Sequence, residues 1–489
     1  MNRFLQAIGL LILLALSGAA RSSQEDAGFV IRNVTVVDMR SPKARPGMTV
    51  VILGNRIVAV GTHPATPRGA VEIDGRGKFL IPGLWDMHAH FVSEQATRDV
   101  FFPLEIANGV TGVRDMFSDC YPDCSFNNGS TSDGVSLAQV NAWRSATAAG
   151  TLMAPRIIAS SPLVDGPAAP WNGELVVRNA VEARDAVRYI KKRGNDFIKV
   201  YSYLSRDAYF AIADEAKKQG LVFAGHIPVA IDAGEASDAG QKSVEHLTGI
   251  LFSASSNEAA LRAKLIADKG SEMFDVDVGR RVLGSYDPAK ATALFHRFAR
   301  NGTWVTPTLT VLRAYASLDD AGFMADDRLR YLPASMRADW KPDANPVLAK
   351  MTADDFGFLK ARYRKQLEIV GAMHRSGVAL LAGTDEPNPF CFPGFSLHDE
   401  LSLLVQAGLT PFEALKTATV NPAVYLGRDR SLGTVEQGKL ADLVLLDGNP
   451  LEDIGNTRRI AGVFQDGHYL SREAREKLLA GLEAAAAKH

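Results

Sequence analysis

Two histidines one residue apart raise the question of metal chemistry in this chain. The stretch LIPGLWDMHAHF, residues 80–91, is an apolar run that ends in His88 and His90. Positions i and i+2 of a strand project to the same side, so both imidazoles face one way at the strand's C-terminal end. Two adjacent imidazoles are costly if both are charged, and they need partners if buried. A single histidine at a strand end reads as an ordinary satisfied polar residue. His-x-His in this position favours metal ligation, because neutral imidazole is the commonest metal ligand. Further along, Lys199 lies in FIKVY, His226 in AGHIP, His246 in VEHLTG and Asp385 in AGTDEP, each at or just after a short apolar run. A lysine inside an apolar strand is expensive unless it is paired or modified, which sets Lys199 apart.

The elements that must position these residues are read from periodicity. Eight apolar strand candidates alternate with helices: GLWDMHAHF, GVTGVRDM, PRIIASSPLV, DFIKVYSY, LVFAGHIP, SVEHLTG, TWVTPTLTV and VALLAGTDEP. The alternation predicts an α/β chain with a (β/α)8 TIM barrel over residues 82–428. Continuous apolarity suits strands covered on both faces. The segment SRDAYFAIADEAKKQG reads as one of the helices, with Ser205 as N-cap and Gly220 as its stop. In a barrel the C-terminal strand ends converge on one mouth, so the six residues are expected to meet there. Residues 25–81 and 429–475 are β-rich, with turn signals such as GN and DGRG. Neither piece makes a comfortable core alone, so the two chain ends are expected to pair into a small discontinuous β-sandwich, followed by a helix or tail over 476–489. Two long insertions, Phe117–Gly134 and about Ala314–Asp355, follow strand ends and read as lids or as solvated decoration.

The chain has 489 residues, 46% hydrophobic and 22% charged, with a formal net charge of −1. That composition is globular, and it argues against a nucleic-acid binder, which usually carries a basic excess. Arg3, the apolar run Ala7–Leu16 and the small residues of SGAA read as a signal peptide over residues 1–24. The protein is therefore expected to be secreted or periplasmic, without stable membrane insertion. An oxidising compartment favours a local disulfide between Cys120 and Cys124 over a cysteine metal site, which would need a second paired cluster; Cys391 is then a buried free thiol. Asn33, Asn128 and Asn301 head glycosylation triplets that matter only in a eukaryotic host.

The ordered set of motifs resembles the amidohydrolase superfamily, in the imidazolonepropionase-like branch that includes metal-dependent dipeptidases. The resemblance covers nearly all of the chain after residue 25 and extends to the tail SLHDELSLLVQAGLTPFEALKTATVNPAVYLG and GTVEQGKLADLVLLDGNPLEDI. It implies a binuclear site. His88, His90 and Asp385 would hold the first ion, His226 and His246 the second, and Lys199, carbamylated by carbon dioxide, would bridge both. Zinc is the expected metal, with manganese, cobalt or iron as alternatives. The implied reaction is hydrolysis of a small amide, a dipeptide or an N-acyl amino acid, with Asp385 as proton shuttle and His246 as ligand or oxyanion partner. Tyr201 is expected near a substrate carboxylate. Arg114 is expected either to contact that carboxylate or to pair structurally. A homo-oligomer is expected. The segment ASSPLVDGPAAPWNG departs from the relatives' Thr-Gly-Gly-His-like loop and leaves the substrate open. The alternatives are hydrolysis of a cyclic amide, lactone or phosphoester, and a silent scaffold on the same fold. The scaffold is disfavoured because all six positions carry competent residues.

Overall fold

The computed structural model describes residues 28–122, 135–169, 173–268, 270 and 275–487. The expected signal peptide, Cys124 and Asn128 lie outside the described residues. Short β-branched runs separated by turns build the first layer: β1 (Phe29–Val36), β2 (Arg45–Leu53), β3 (Arg56–Gly61), β4 (Val71–Asp74) and β5 (Phe79–Pro82). Gly83 then leads into β6 (Leu84–Ala89), and β7 (Val110–Asp115), β8 (Arg156–Asp165), β9 (Leu175–Val176), β10 (Phe197–Val200), β11 (Phe223–Gly225), β12 (Ser243–Glu245) and β13 (Trp304–Thr306) follow. The chain ends with β14 (Leu443–Leu446), β15 (Ile460–Gln465), β16 (His468–Ser471) and a helix over Arg472–Ala486.

Strands β6, β7, β8, β10, β11, β12 and β13 pair in parallel in that order, with β9 appended to β8. The eighth expected strand, VALLAGTDEP, forms no continuous ladder. It closes the barrel through two isolated parallel bridges, Val305 to Leu380 and Ala89 to Glu386. The amides of Met87 and Asp385 donate across this seam to Ala382 O (2.9 Å) and His88 O (2.7 Å). Gly383 makes the close approach feasible, since a Cβ there would lie 2.6 Å from Thr306 Cγ2 and 2.8 Å from His88 N. The helix Arg206–Gln219 forms as its caps predict: Ser205 accepts from Ala208 N, and Gly220 takes φ +63°.

Both chain ends share one sheet, ordered β16-β15-β14-β5-β1-β2-β3, with β4 on β1. Strand β14, LVLL, is buried throughout because it faces two cores. Leu443 and Leu445 pack with Ile31, Val50 and Phe464, whereas Val444 and Leu446 join the barrel core. Among the described residues no helix is long and apolar enough to cross a membrane. Cys120 is disulfide-bonded, and Cys391 is a buried free thiol.

The insertion that carries the 3-10 turn Asp327–Tyr331 is pinned to the barrel. Asp399 accepts from Arg328 Nη1 (2.8 Å), Arg313 Nη2 (3.2 Å) and Arg458 Nη2 (2.7 Å). Burial alone would raise its pKa, but the guanidiniums outweigh it and hold it at about 2. A second ionic clasp joins the barrel to the β domain. Arg156 Nε donates to Asp442 Oδ2 (2.6 Å) and Nη2 to Asp466 Oδ1 (2.6 Å). The Asp442 side chain is only 3% exposed, so losing its partner strands a buried charge. Arg156→Ala is therefore expected to destabilise the protein by about 2–4 kcal/mol, read by denaturant unfolding, and Arg156→Lys by less.

Candidate metal centre

The mouth of the barrel brings the six expected residues together. His88 ends β6 and is fully buried. Its Nδ1 lies 2.8 Å from Glu245 Oε2. Since a carboxylate can only accept, that contact places the ring proton on Nδ1 and leaves Nε2 with a lone pair. Nε2 has no hydrogen-bond partner among the described residues, yet it faces Asp385 Oδ1 at 3.3 Å. His90 Nε2 approaches the same oxygen at 2.9 Å. His88, His90 and Asp385 thus present three ligand atoms within 4.8 Å of one another, the one such group among the described residues.

The remaining residues adjoin this trio. The His246 ring centroid is 4.3 Å from that of His88 and 5.0 Å from that of His226. Ser202 Oγ meets His226 Nδ1 at 2.9 Å, and His226 Nε2 is buried without a partner among the described residues. Thr308 Oγ1 meets His246 Nδ1 at 2.8 Å. Lys199 is buried on β10. Gly225, with φ +137°, lets β11 pass close to it, because a Cβ there would sit 3.1 Å from Lys199 Cδ and 2.1 Å from Val200 O. Tyr201 stacks on His226, with centroids 4.1 Å apart. The backbone at the site is tight: His246, Thr308 and Asp385 take φ of 57°, 48° and 64°. That left-handed region is uncommon for residues with side chains, and it persists where surrounding contacts over-determine it.

The electrostatics favour neutral imidazoles. Burial, followed by the neighbouring Lys199 and His246, pushes His88 well below its ordinary value. Burial, then His246 and Lys199, does the same for His226. Burial lowers His246 to about 4. Burial also brings Lys199 down to about 8, so a neutral and nucleophilic amine is accessible near neutrality. Asp385 resists its own burial because His246 and His90 hold its pKa below the usual carboxylate value. Unprotonated nitrogens beside a carboxylate fit divalent metal, and the unpartnered lone pairs on His88 and His226 are the atoms such ions would engage.

The contact with a substrate carboxylate expected of Arg114 is corrected by its depth. Arg114 is completely buried on β7. Nε donates to Met87 O (2.6 Å), Nη1 to Ser243 Oγ and Tyr425 OH (2.9 Å each), and Nη2 to Glu245 (2.9 Å) and Thr306 Oγ1 (3.2 Å). All its donors are occupied beneath the site.

Three further residues organise the centre without having been singled out in the sequence. Glu245 joins Arg114 to His88. Its signal was an acid inside the apolar strand SVE, next to His246. Asp86 accepts from His88 N (2.9 Å) and Thr384 Oγ1 (2.6 Å), tying β6 to the closing segment. Glu400 accepts from Leu309 N (3.0 Å) and Thr310 N (2.8 Å), which fixes the helix that starts beside Thr308. Nothing local in the sequence pointed to that contact, because it spans 90 residues.

Glu245→Gln keeps the shape but weakens the hold on His88. It is expected to lower metal affinity about 10–100-fold, measured by chelator competition. Burial raises Glu400 from 4.5 to about 7 despite those hydrogen bonds. At Glu400 the folded state therefore keeps its proton between these values while the unfolded state does not, so the stability this group contributes is lost as pH rises through that window. Denaturant unfolding of metal-free wild type and Glu400→Gln at pH 5 and pH 7.5 is expected to show it as a difference, with wild type losing up to about 3 kcal/mol relative to the variant over that step.

The sequence and the fold have relatives among known proteins. An ochratoxinase from Aspergillus niger is 26% identical over 451 residues, covering 83% of this chain and 78% of that protein. The solved structure of a bottromycin amidohydrolase superposes with a TM-score of 0.70 at 24% identity, over 94% of this chain and 90% of its own. A putative prolidase from Bifidobacterium longum gives 0.63 at 24% identity, over 94% and 99%. These two structures share the fold. The amidohydrolase family matches residues 79–470, a span that holds the whole barrel, all six mouth residues and the returning β strands, and the chain belongs to that family.

Proposed function

We propose that this protein is an exported, binuclear metal-dependent amidohydrolase that cleaves the amide bond of a dipeptide or N-acyl amino acid. The observation that carries the reading is the meeting of His88 Nε2 and His90 Nε2 with Asp385 Oδ1, at 3.3 and 2.9 Å. With Nδ1 of His88 protonated toward Glu245, its lone pair and the carboxylate oppose each other without a proton between them, which a bound cation resolves. Family membership and the amide-cleaving relatives support the reaction class. The leader-like residues 1–24 support export.

Divalent ions held by these residues, with zinc the default, would polarise the scissile carbonyl and lower the pKa of water. The chain's own groups do the rest. Lys199 is desolvated and adds to carbon dioxide through its neutral amine, losing one proton and becoming an anion that offsets the ionic charge. Asp385, kept ionised by His246 and His90, accepts a proton from the attacking water and delivers it to the leaving nitrogen. Thr308 fixes the ring of His246 beside the reacting carbonyl. Tyr201, two residues past Lys199 and stacked on His226, is assigned to contact a substrate carboxylate.

Metal analysis of wild type beside Lys199→Ala, with a panel of dipeptides and N-acyl amino acids, tests the proposal. About two ions per chain and turnover are expected in wild type, with loss of metal and at least ~10²-fold lower kcat in the variant. A metal-free wild type that stays inert after zinc, manganese or cobalt is added back would overturn it.

A further inference from the structure

Asp385 has the most demanding geometry in the centre. Its backbone sits at φ 64°, and its carboxylate faces His90 and His88 together, at 2.9 and 3.3 Å. Such a conformation persists only where the surroundings over-determine it. The Asp385 amide is held by His88 O at 2.7 Å. Its carbonyl is held by Asn388, which donates to it twice, from the main-chain amide at 3.1 Å and from Nδ2 at 2.7 Å. A carbonyl only accepts, so this contact identifies the side-chain nitrogen and makes Oδ1 the atom that meets Tyr315 OH, at 3.1 Å. An amide oxygen also only accepts, so the phenol is the donor. Burial, then the nearby Asp385, raises the Tyr315 pKa above its ordinary value, and the phenol keeps the proton it donates.

Tyr315 belongs to the helix Leu309–Ser317. Thr308, the N-cap of that helix, donates to Pro307 O (2.8 Å) and so accepts from His246 Nδ1 (2.8 Å). One helix therefore reaches both sides of the centre, His246 from its start and Asp385 from two turns further on. These two groups face each other at 3.7 Å. We infer that Tyr315 and Asn388 are positioning residues for Asp385: the phenol locks the Asn388 amide, and the amide locks the backbone conformation that aims the carboxylate at the histidines. What the held carboxylate does rests on the amide-hydrolase reading, whereas how it is held rests on these hydrogen bonds alone. Without the phenol, the half-buried Asn388 side chain is free to turn to water, and the Asp385 carbonyl keeps only the main-chain donor. The loop has other anchors and survives that change. Cys391 N donates to Asn388 O (2.8 Å), and the Phe390 ring packs on Phe323 and Trp340, with centroids 5.3 and 5.7 Å away.

Tyr315→Phe, Asn388→Ala and the double variant test this in the metal-loaded enzyme with dipeptides and N-acyl amino acids. Each single variant is expected to lower kcat about 5- to 10-fold with KM within about twofold, because a supporting hydrogen bond is lost and no substrate contact. Tyr315 acts through Asn388, so the double variant is expected to match Asn388→Ala within about twofold. Losses that multiply would give the two residues separate roles and overturn the relay, and so would a loss confined to KM. Hydrogen exchange in the metal-free protein reads the hold with neither metal nor substrate. The amides between Asp385 and Cys391 are expected to exchange at least about fivefold faster in Tyr315→Phe, while those of the β domain keep their rates. Unchanged exchange in that segment would overturn the positioning role whether or not any amide turns over. Faster local exchange in a protein that cleaves no amide would uphold the positioning role and remove the amide-hydrolase reading.

Discussion

A buried carboxylate with two obligations organises the centre. Glu245 is completely shielded from water and must be compensated. Arg114 supplies that compensation at 2.9 Å on both carboxylate oxygens, and the remaining capacity goes to His88 Nδ1 and Ser243 Oγ. The consequence reaches the reaction. Because the Glu245 carboxylate is paired with a guanidinium that cannot lose its proton, it accepts from His88 Nδ1, and the imidazole is held as one tautomer. That tautomer aims a lone pair at Asp385. The Arg114–Glu245 pair is neutral overall, so it orients a ligand without adding net charge to a pocket that already gathers four imidazoles and a lysine.

The eighth position of the barrel shows what that orientation costs in regularity. A continuous strand would carry Asp385 in extended backbone, with its side chain alternating as the ladder dictates. Here the segment pairs only at Leu380 and Glu386, and Asp385 turns into the left-handed region between them. Gly383 gives the room, Asp86 fastens the neighbouring Thr384, and the Asp385 amide donates to His88 O. The strained residue is thus held from both sides by the strand that carries the histidines it faces. Irregularity here places one carboxylate against two imidazoles, which a regular ladder would not do.

These facts explain what the sequence could and could not reveal. The barrel, the paired chain ends and the six mouth residues were legible because apolar runs end in polar groups, and strand ends are where a barrel collects its chemistry. Arg114 was only half legible. Its charge is visible in GVRDM, but its depth depends on Tyr425 and Ser243, more than a hundred residues away. Glu245 was overshadowed by the adjacent His246. Consecutive strand residues face opposite sides, so Glu245 points inward with Ser243, toward Arg114, a partnership that local sequence does not display. VALLAGTDEP reads as a full strand, yet its ladder is reduced to bridges at Leu380 and Glu386, with Asp385 at φ 64° before the second. The insertions were the least readable, since ion pairs rather than periodicity fix them.

One turn of helix links those insertions to the chemistry. Asp399 and Glu400 are neighbours on the helix Phe395–Gln406 and therefore point in different directions around its axis. Asp399 gathers Arg313, Arg328 and Arg458, which fastens the insertion after β13. Glu400 accepts from the first amides of the helix Leu309–Ser317, whose N-cap Thr308 holds His246. The orientation of His246 and the attachment of the insertion are consequently fixed to the same short stretch of barrel helix. The fold in this way keeps the imidazoles on the strand ends and ties the insertion and the placement of His246 together through neighbouring carboxylates.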